Sequence, residues 1–354
     1  MSTDYPRNNN LLAGLRPLLL NETFLYVTKR IFQALITLLL ASALSFLIVQ
    51  LSPGSFLDTL KQQNEKISPQ RLLEIQRQFG LSSEKTLGAA LTQYFSWLWR
   101  VVFHWDFGPS ISYNRPVSEL LGQRMRATVE LALASTLVTW LIAIPLGIWG
   151  AVHQNKASDK ILRVLSYLGQ GLPSFIAALL LVMLAQYLSP YLPVGGRTSI
   201  NHEQLSPIGQ LLDISWHMIL PTIALSITSF AGLQRIARGE MLDVLRQDYI
   251  QTARAKGLPE NRVIYLHALR NAINPLITLL GFEFASLLGG AFIAEYFFNW
   301  PGLGRLILSA VNAKDLYLVM GSLMMGAVML ILGNLLADLL LKSVDPRIKL
   351  SDLK

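Results

Sequence analysis

Long apolar runs separated by short basic connections dominate this sequence. A membrane-spanning helix needs roughly 20 mainly apolar residues, and six runs meet that length: about 31–51, 127–151, 164–188, 215–236, 273–297 and 316–341. A backbone in lipid must satisfy its own hydrogen bonds, which favours helices. Pro145, Pro173 and Pro221 lie inside the runs, where neighbouring helices can satisfy the freed backbone groups. The sequence therefore predicts an all-α integral membrane protein with six transmembrane helices.

The composition supports this class and argues against several others. Only 15% of the residues are charged and 52% are apolar, whereas soluble domains have about 25% charged residues. The absence of cysteine excludes disulfides and thiolate chemistry. The five histidines show no metal-ligand spacing. We therefore expect no metal site, no catalytic residues and no cofactor in this chain.

The distribution of Lys and Arg predicts how the chain is oriented in the membrane. Basic residues concentrate at the N-terminus, in 152–163, in 237–272 and after residue 341. The opposite short loops, 189–214 and 298–315, are poorer in cations. The positive-inside rule places the basic side in the cytoplasm, which predicts that both termini are cytoplasmic. The same rule explains the net charge of +8 without nucleic-acid binding.

These assignments give a domain order. It runs as an N-terminal cytoplasmic tail (1–29), a first transmembrane helix (30–51), an extracytoplasmic segment (52–126), a core domain (127–342) and a C-terminal cytoplasmic tail (343–354). We expect the extracytoplasmic segment to be helical, since Ser68-Pro69 is typical of a helix start and Gly80 of a stop. A second run, 94–103, is apolar and aromatic. It either lies along the membrane surface or packs on the bundle.

The basic connection 237–272 contains the stretch DYIQTARAKGLPE. Asp248 is suited to cap a first helix, Gly257 to supply a left-handed stop, and Pro259 to begin a second helix. This predicts a helix, a tight turn and a helix, which could dock in a groove of another protein. A solvated connection and a basic segment lying on anionic lipid are alternatives.

The stretch DYIQTARAKGL resembles the cytoplasmic coupling-loop motif of ABC-importer permeases of the dipeptide/oligopeptide/nickel class. The general motif, Glu-Ala-Ala, three residues and Gly, falls on Gln251, Thr252, Ala253 and Gly257. Further matches follow the family's order along most of the chain. They are WDFGPSI (105–111), RATVELAL (126–133), GLPSFIAALL (171–180), ILPTIALS (219–226), AEYFFNWPGLGRL (294–306), Asp315 and DPR (345–347). Family members often have Leu-Pro where this chain has Arg126-Ala127.

The resemblance implies a permease subunit that forms half of the pore of an inner-membrane importer for dipeptides, oligopeptides, nickel chelates or glutathione. It implies one or two P-loop ATPase subunits that bind ATP and Mg, a second homologous permease in a heterodimeric pore, an extracytoplasmic substrate-binding protein and surrounding membrane lipid. In this family the coupling loop, here 237–272, docks on the ATPase. The residues implied in docking are Asp248, Tyr249, Thr252, Ala253, Arg254, Ala255, Lys256, Gly257 and Leu258.

Two other sets of residues have competing interpretations. Glu283, inside the fifth run, could line the translocation pathway, hydrogen-bond within the bundle or contact a partner helix. Pro301, Gly302 and Gly304 form either a structural turn or, as the resemblance implies, an outer gate. Two alternative functions also stay open: a proton-coupled secondary transporter and a non-transporting membrane scaffold.

Overall fold

The computed structural model describes residues 22–51, 70, 74 and 87–344. Both predicted tails therefore lie partly outside the described residues. The parts outside are 1–21 of the N-terminal tail and 345–354 of the C-terminal tail. The short helix predicted after Ser68 also lies outside them, apart from single positions.

Among the described residues, the regular secondary structure is helical apart from one short β-ribbon. The ribbon pairs β1 (Pro109–Ser110) with β2 (Arg115–Pro116) in antiparallel register. The helices are α1 (Glu22–Leu51), α2 (Leu87–His104), α3 (Val117–Val152), α4 (Ala157–Gly171), α5 (Ser174–Tyr187), α6 (Pro207–Leu245), α7 (Asp248–Ala255), α8 (Glu260–Arg262), α9 (Leu269–Gly290), α10 (Phe292–Phe297), α11 (Leu303–Asn312) and α12 (Leu316–Val344). A 3₁₀ turn, His202–Gln204, precedes α6, and a π-helix, Val263–Ala268, joins α8 to α9.

Several described helices are long and apolar enough to cross a membrane. Four qualify alone, namely α1, α3, α6 and α12. The prolines inside α3 and α6, Pro145 and Pro221, leave those helices continuous. The all-α membrane class is therefore confirmed. The predicted run 273–297 is divided between α9 and α10, and its crossing of the membrane stays a prediction.

The predicted span 164–188 is wrong as a single straight helix. The chain bends by 99° between α4 and α5, and the two pass the test for a span only as a pair. Leu172 and Pro173 are both extended, with ψ of 113° and 137°. Proline disfavours helical geometry in the residue before it, so the helix ends there instead of continuing.

Close packing of α3 against α6 forms the centre of the bundle. A Cβ on Gly147 of α3 would lie 2.7 Å from the Cβ of Ala237 and 3.0 Å from the carbonyl oxygen of Gln234. Small residues let helix backbones approach this closely in membranes. This contact lies near the C-terminal ends of α3 and α6. It therefore holds together the two helix ends on which the coupling loop packs.

Helix α2 shows that the aromatic run 94–103 packs on the bundle. Tyr94, Trp97 and Val101 are buried against the bundle. Phe95, Trp99 and Phe103 are exposed. The run therefore packs on the bundle with one face only.

Candidate functional site

The coupling loop turns at Gly257, as the sequence predicts. Gly257 has a φ of +75°, the left-handed conformation that glycine adopts most readily. Its N–H donates to the carbonyl of Arg254 at 2.9 Å, and the N–H of Leu258 donates to that of Ala253 at 3.4 Å. These two bonds form a Schellman motif, which satisfies carbonyls at the end of α7. A Cβ on Gly257 would meet nothing within 4 Å, so the need for glycine is conformational and not spatial.

Two details of the predicted loop are wrong by one residue. Asp248 does not cap α7; Gln247 occupies the cap position in an extended conformation and Asp248 is the first helical residue. Because α6 continues to Leu245, Gln247 is the residue left to change direction. Pro259 likewise precedes α8, with ψ at 139°, and the helix begins at Glu260.

A buried side holds α7 against the bundle. Ile250 and Ala253, three residues apart on one helical face, are buried in an apolar cluster. The cluster includes Met241 of α6, Ile148 of α3 and Val263 of the π-helix. A displacement of α7 would therefore be transmitted directly to α3 and α6. Sequence reasoning missed the anchoring role of Ile250, although its spacing from Ala253 was visible.

The remaining predicted docking residues lie on the outside. Leu258 is half-buried, and the exposed ones are Asp248, Tyr249, Thr252, Arg254, Ala255, Lys256 and Gly257. Tyr249 is further held by Asn271 of α9, whose Nδ2 donates to the tyrosine hydroxyl at 3.1 Å. The loop thus presents a polar and basic surface on a rigid apolar base.

An ion pair joins the two sides of the Gly257 turn. The guanidinium of Arg254 donates to both carboxylate oxygens of Glu260, at 2.7 and 3.2 Å. This hydrogen bonding raises the pKa of Arg254 and lowers the pKa of Glu260. Both side chains are more than a third exposed, so the pair contributes at most about 1 kcal/mol to stability.

Glu283 is hydrogen-bonded inside the bundle. The indole Nε1 of Trp140 on α3 donates to its Oε2 at 2.8 Å. Its other oxygen, Oε1, is buried and has no hydrogen-bond partner among the described residues. The bond to Trp140 accords with the packing interpretation, while a role in the translocation pathway stays a prediction.

The segment with Pro301, Gly302 and Gly304 closes around a buried carboxylate that sequence reasoning passed over. Glu295 of α10 is fully buried. Its Oε1 accepts from Thr128 Oγ1 at 2.6 Å, and its Oε2 accepts from the backbone N–H of Arg305 at 3.1 Å. A Cβ on Gly302 would overlap this carboxylate. Gly302 has an ordinary extended backbone, so it is required for space.

Further bonds tie this turn to α3. Thr128 accepts from the N–H of Leu303 at 2.8 Å, and the indole of Trp300 donates to the carbonyl of Ala127 at 2.9 Å. A pocket of about 230 Å³ adjoins the turn, lined by Phe292, Glu295, Gly304 and apolar residues of α11 and α12. The turn is therefore a well-fixed structural element, and its role as a gate stays a prediction.

Comparison with known proteins places the chain in a family. The family model described as "Binding-protein-dependent transport system inner membrane component" matches residues 143–350. The chain belongs to this family. It is therefore a transport permease and a multi-pass protein of the inner membrane, which confirms the resemblance seen in the sequence.

Individual relatives match the permease over nearly its whole length. The oligopeptide transport system permease protein AppB of Bacillus subtilis (strain 168) is 37% identical over 325 residues, covering 92% of this chain and 99% of that protein. The dipeptide transport system permease protein DppB of Escherichia coli (strain K12) is 34% identical over 340 residues, covering 92% and 98%. Among solved structures, the MetNI methionine ABC transporter shows a TM-score of 0.49 and 14% identity over 64% of this chain.

Proposed function

We propose that this permease forms half of the translocation pore of an ATP-driven importer of peptides. The names of the relatives AppB and DppB support peptides as cargo. Oligopeptides and dipeptides are the first candidates, and nickel chelates and glutathione are the alternatives. In this proposal the chain crosses the membrane six times and both termini are cytoplasmic, in agreement with its distribution of Lys and Arg.

The coupling loop is the observation that carries the ATP-driven part of the proposal. Its residues 248–258 form an exposed helical knuckle on a buried apolar base shared with α3 and α6. A short helix of this kind suits a groove on a partner. The chain has no G-x-x-x-x-G-K-[ST] sequence, so the proposal assigns ATP and Mg to one or two separate P-loop ATPase subunits.

Two further partners complete the transporter in this proposal. A second, homologous permease supplies the other half of the pore, and an extracytoplasmic binding protein delivers the cargo. ATP binding would close the ATPases and move the knuckles, which shifts the pore between two access states. The buried contacts of Ile250 give that motion a direct path into α3 and α6.

Affinity purification in mild detergent tests the ATPase contact. Wild type should retain one or two P-loop ATPases, identified by mass spectrometry. Gly257→Val should weaken that retention, because a β-branched residue is strained at positive φ. Gly257→Asn is the matched control, since asparagine tolerates the left-handed conformation. Equal retention in all three proteins, or none in any, would refute the docking role.

Uptake in vesicles tests the energy source and the cargo. Labelled dipeptides and oligopeptides should accumulate with ATP and stop accumulating when ATP is depleted. Uptake that survives ATP depletion and collapses with the ion gradient would indicate a secondary transporter. Stable partner binding without uptake of any tested solute would indicate a scaffold.

A further inference from the structure

Helix α2 has three distinct faces. At about 100° per residue, its side chains separate into a buried stripe, an exposed apolar stripe and a polar stripe. The buried stripe holds Tyr94, Trp97 and Val101. The exposed apolar stripe holds Leu91, Phe95, Trp99 and Val102. The polar stripe holds Thr92, Gln93, Ser96, Arg100 and His104.

The buried stripe fixes α2 against the rest of the protein. Trp97 is 1% exposed, and its indole donates to the carbonyl of Phe107 at 3.0 Å. The hydroxyl of Tyr94 lies 2.9 Å from Ser42 Oγ of α1, and its ring packs on Phe46 with 5.4 Å between centroids. The position of α2 is therefore set by protein contacts, and its other faces are presented in a fixed direction.

The exposed apolar stripe is too large and too aromatic for a water-facing surface. Phe95 is 61% exposed and Trp99 is 60% exposed. The Trp99 ring lies 4.1 Å from that of Phe103, between centroids. Contiguous exposed apolar surface of this kind marks an interaction site. A helix with an apolar face and a separate polar face suits the boundary between water and lipid.

Helix α1 indicates what covers the stripe. Its exposed side is lined by Leu40, Leu44, Leu47 and Ile48, and it is among the helices long and apolar enough to span the membrane. Gln50, one residue before α1 ends, donates to Gln93 of α2 at 3.2 Å. Through Tyr94 and Gln93, α2 therefore lies beside residues 42–50 of this apolar helix. At that level the side chains of Leu91 and Phe95 are themselves exposed.

We propose that α2 is an interfacial helix whose Leu91, Phe95, Trp99 and Val102 insert into the acyl region of the leaflet at the Leu51 end of α1. The polar stripe then meets the headgroups and water. Tryptophan is enriched at the membrane–water interface, where an interfacial helix lies. The proposal rests on the inner-membrane location and the structure of α2, and it is independent of ATPase coupling.

The lack of native cysteine makes site-directed spin labelling a direct test. Single cysteines at Phe95, Ser96, Trp99 and Val101 would each carry a nitroxide label. The proteins would be reconstituted in phosphatidylethanolamine–phosphatidylglycerol vesicles, both alone and as the purified complex. Collision of the label with oxygen reports lipid, and collision with chromium oxalate reports water.

The expected result separates neighbouring positions. Labels at 95 and 99 should collide with oxygen several-fold more readily than with chromium oxalate, and the label at 96 should show the reverse. The label at 101 should be shielded from both. Strong chromium oxalate collisions at 95 and 99 would overturn the proposal. So would shielding from both reagents that is relieved when the partner subunits are removed.

Native tryptophan fluorescence provides a second test that needs no cysteine variant. Phospholipids brominated on their acyl chains should quench part of the wild-type emission. Trp99→Phe should lose much of that quenchable part, and Trp97→Phe should lose little of it. Equal loss from the two variants would contradict insertion of the Trp99 stripe.

Discussion

Asp159 of α4 and Arg238 of α6 form a two-pronged ion pair. Arg238 donates from Nε to Oδ1 at 2.6 Å and from its terminal nitrogen to Oδ2 at 2.8 Å. Asp159 is fully buried and also accepts from the N–H of Asn155 at 2.9 Å. Gly150 leaves room for the pair, because a Cβ there would lie 3.3 Å from Arg238 Cδ. The pair fixes the first half of the bent α4–α5 unit to the helix that leads into the coupling loop.

Removing one member of this pair should destabilise the permease strongly. Asp159→Asn leaves Arg238 without its carboxylate, and breaking a buried ion pair costs about 3–5 kcal/mol. Thermal unfolding in one detergent would measure the change. Glu130→Gln is the matched control, because Glu130 pairs with Arg197 in a similar geometry but with both side chains 25% exposed. A loss no greater for Asp159→Asn than for this control would contradict the prediction.

Substitution of Gly302 should disrupt the turn around Glu295. The added methyl group of Gly302→Ala overlaps the buried carboxylate, and overpacking of this kind costs about 1–3 kcal/mol. Thermal unfolding of Gly302→Ala, Glu295→Ala and the double variant would form a double-mutant cycle. The double variant should be more stable than the sum of the single effects implies.

Gly122 of α3 supplies the control for that cycle. A Cβ there meets nothing within 4 Å, so Gly122→Ala should not destabilise the protein. Strict additivity between Gly302→Ala and Glu295→Ala would refute the steric explanation.

Acid should loosen the Gly257 turn slightly. The Arg254 bond lowers the pKa of Glu260 below its ordinary value of 4.5. Its stabilisation is therefore complete above that value and is lost as pH falls through the lower pKa of the folded state. Amide-exchange protection at Gly257 and Leu258, corrected for intrinsic rates, should fall by less than about fivefold, which corresponds to about 1 kcal/mol.

Glu260→Gln tests whether this carboxyl is responsible. The variant should show the weaker protection at every pH and no acid step of its own. An acid step of unchanged size in Glu260→Gln would assign it to another group.

Substitutions at Trp140 and Glu283 can distinguish a packing role of the Glu283 carboxylate from a role in the translocation pathway. Trp140→Phe removes the donor and leaves a buried acceptor unsatisfied, which costs about 1–3 kcal/mol. Glu283→Gln keeps a carbonyl that can accept the same bond, so thermal stability should change little. Slower peptide uptake by Glu283→Gln at unchanged stability would support the pathway role, and unchanged uptake would contradict it.

Local chemistry determined which features could be predicted from the sequence. The left-handed Gly257 was predictable, because a glycine after a helical stretch and before Pro259 is a signal within a few residues. The apolar length of α1, α3, α6 and α12 was equally local. The break at Pro173 was not, because Pro145 and Pro221 stand in similar runs and leave their helices continuous. A proline inside an apolar run therefore does not by itself show whether the helix breaks.

The role of Glu295 was missed for a related reason. Its partner Thr128 lies 167 positions away along the chain, and no periodicity connects them. Glu295 stands near the end of a predicted apolar run, where a carboxyl group is less surprising than at its middle. The nearby Pro301-Gly302 pair was the available signal, since a glycine permits close approach of neighbouring atoms as well as a turn.

The π-helix Val263–Ala268 sets how α9 is rotated about its axis relative to the chain that precedes it. A π turn is wider than an α turn, so it offsets the rotation of every residue that follows. Leu276, 1% exposed, packs in a cluster with Ala143 and Leu233, beyond the π-helix from Val263. Deleting one residue within the π-helix would rotate α9 by about 100° and turn Leu276 out of that cluster. The wide turn therefore acts as an angular spacer, which lets the helix before Gly257 and helix α9 each keep its own facing direction.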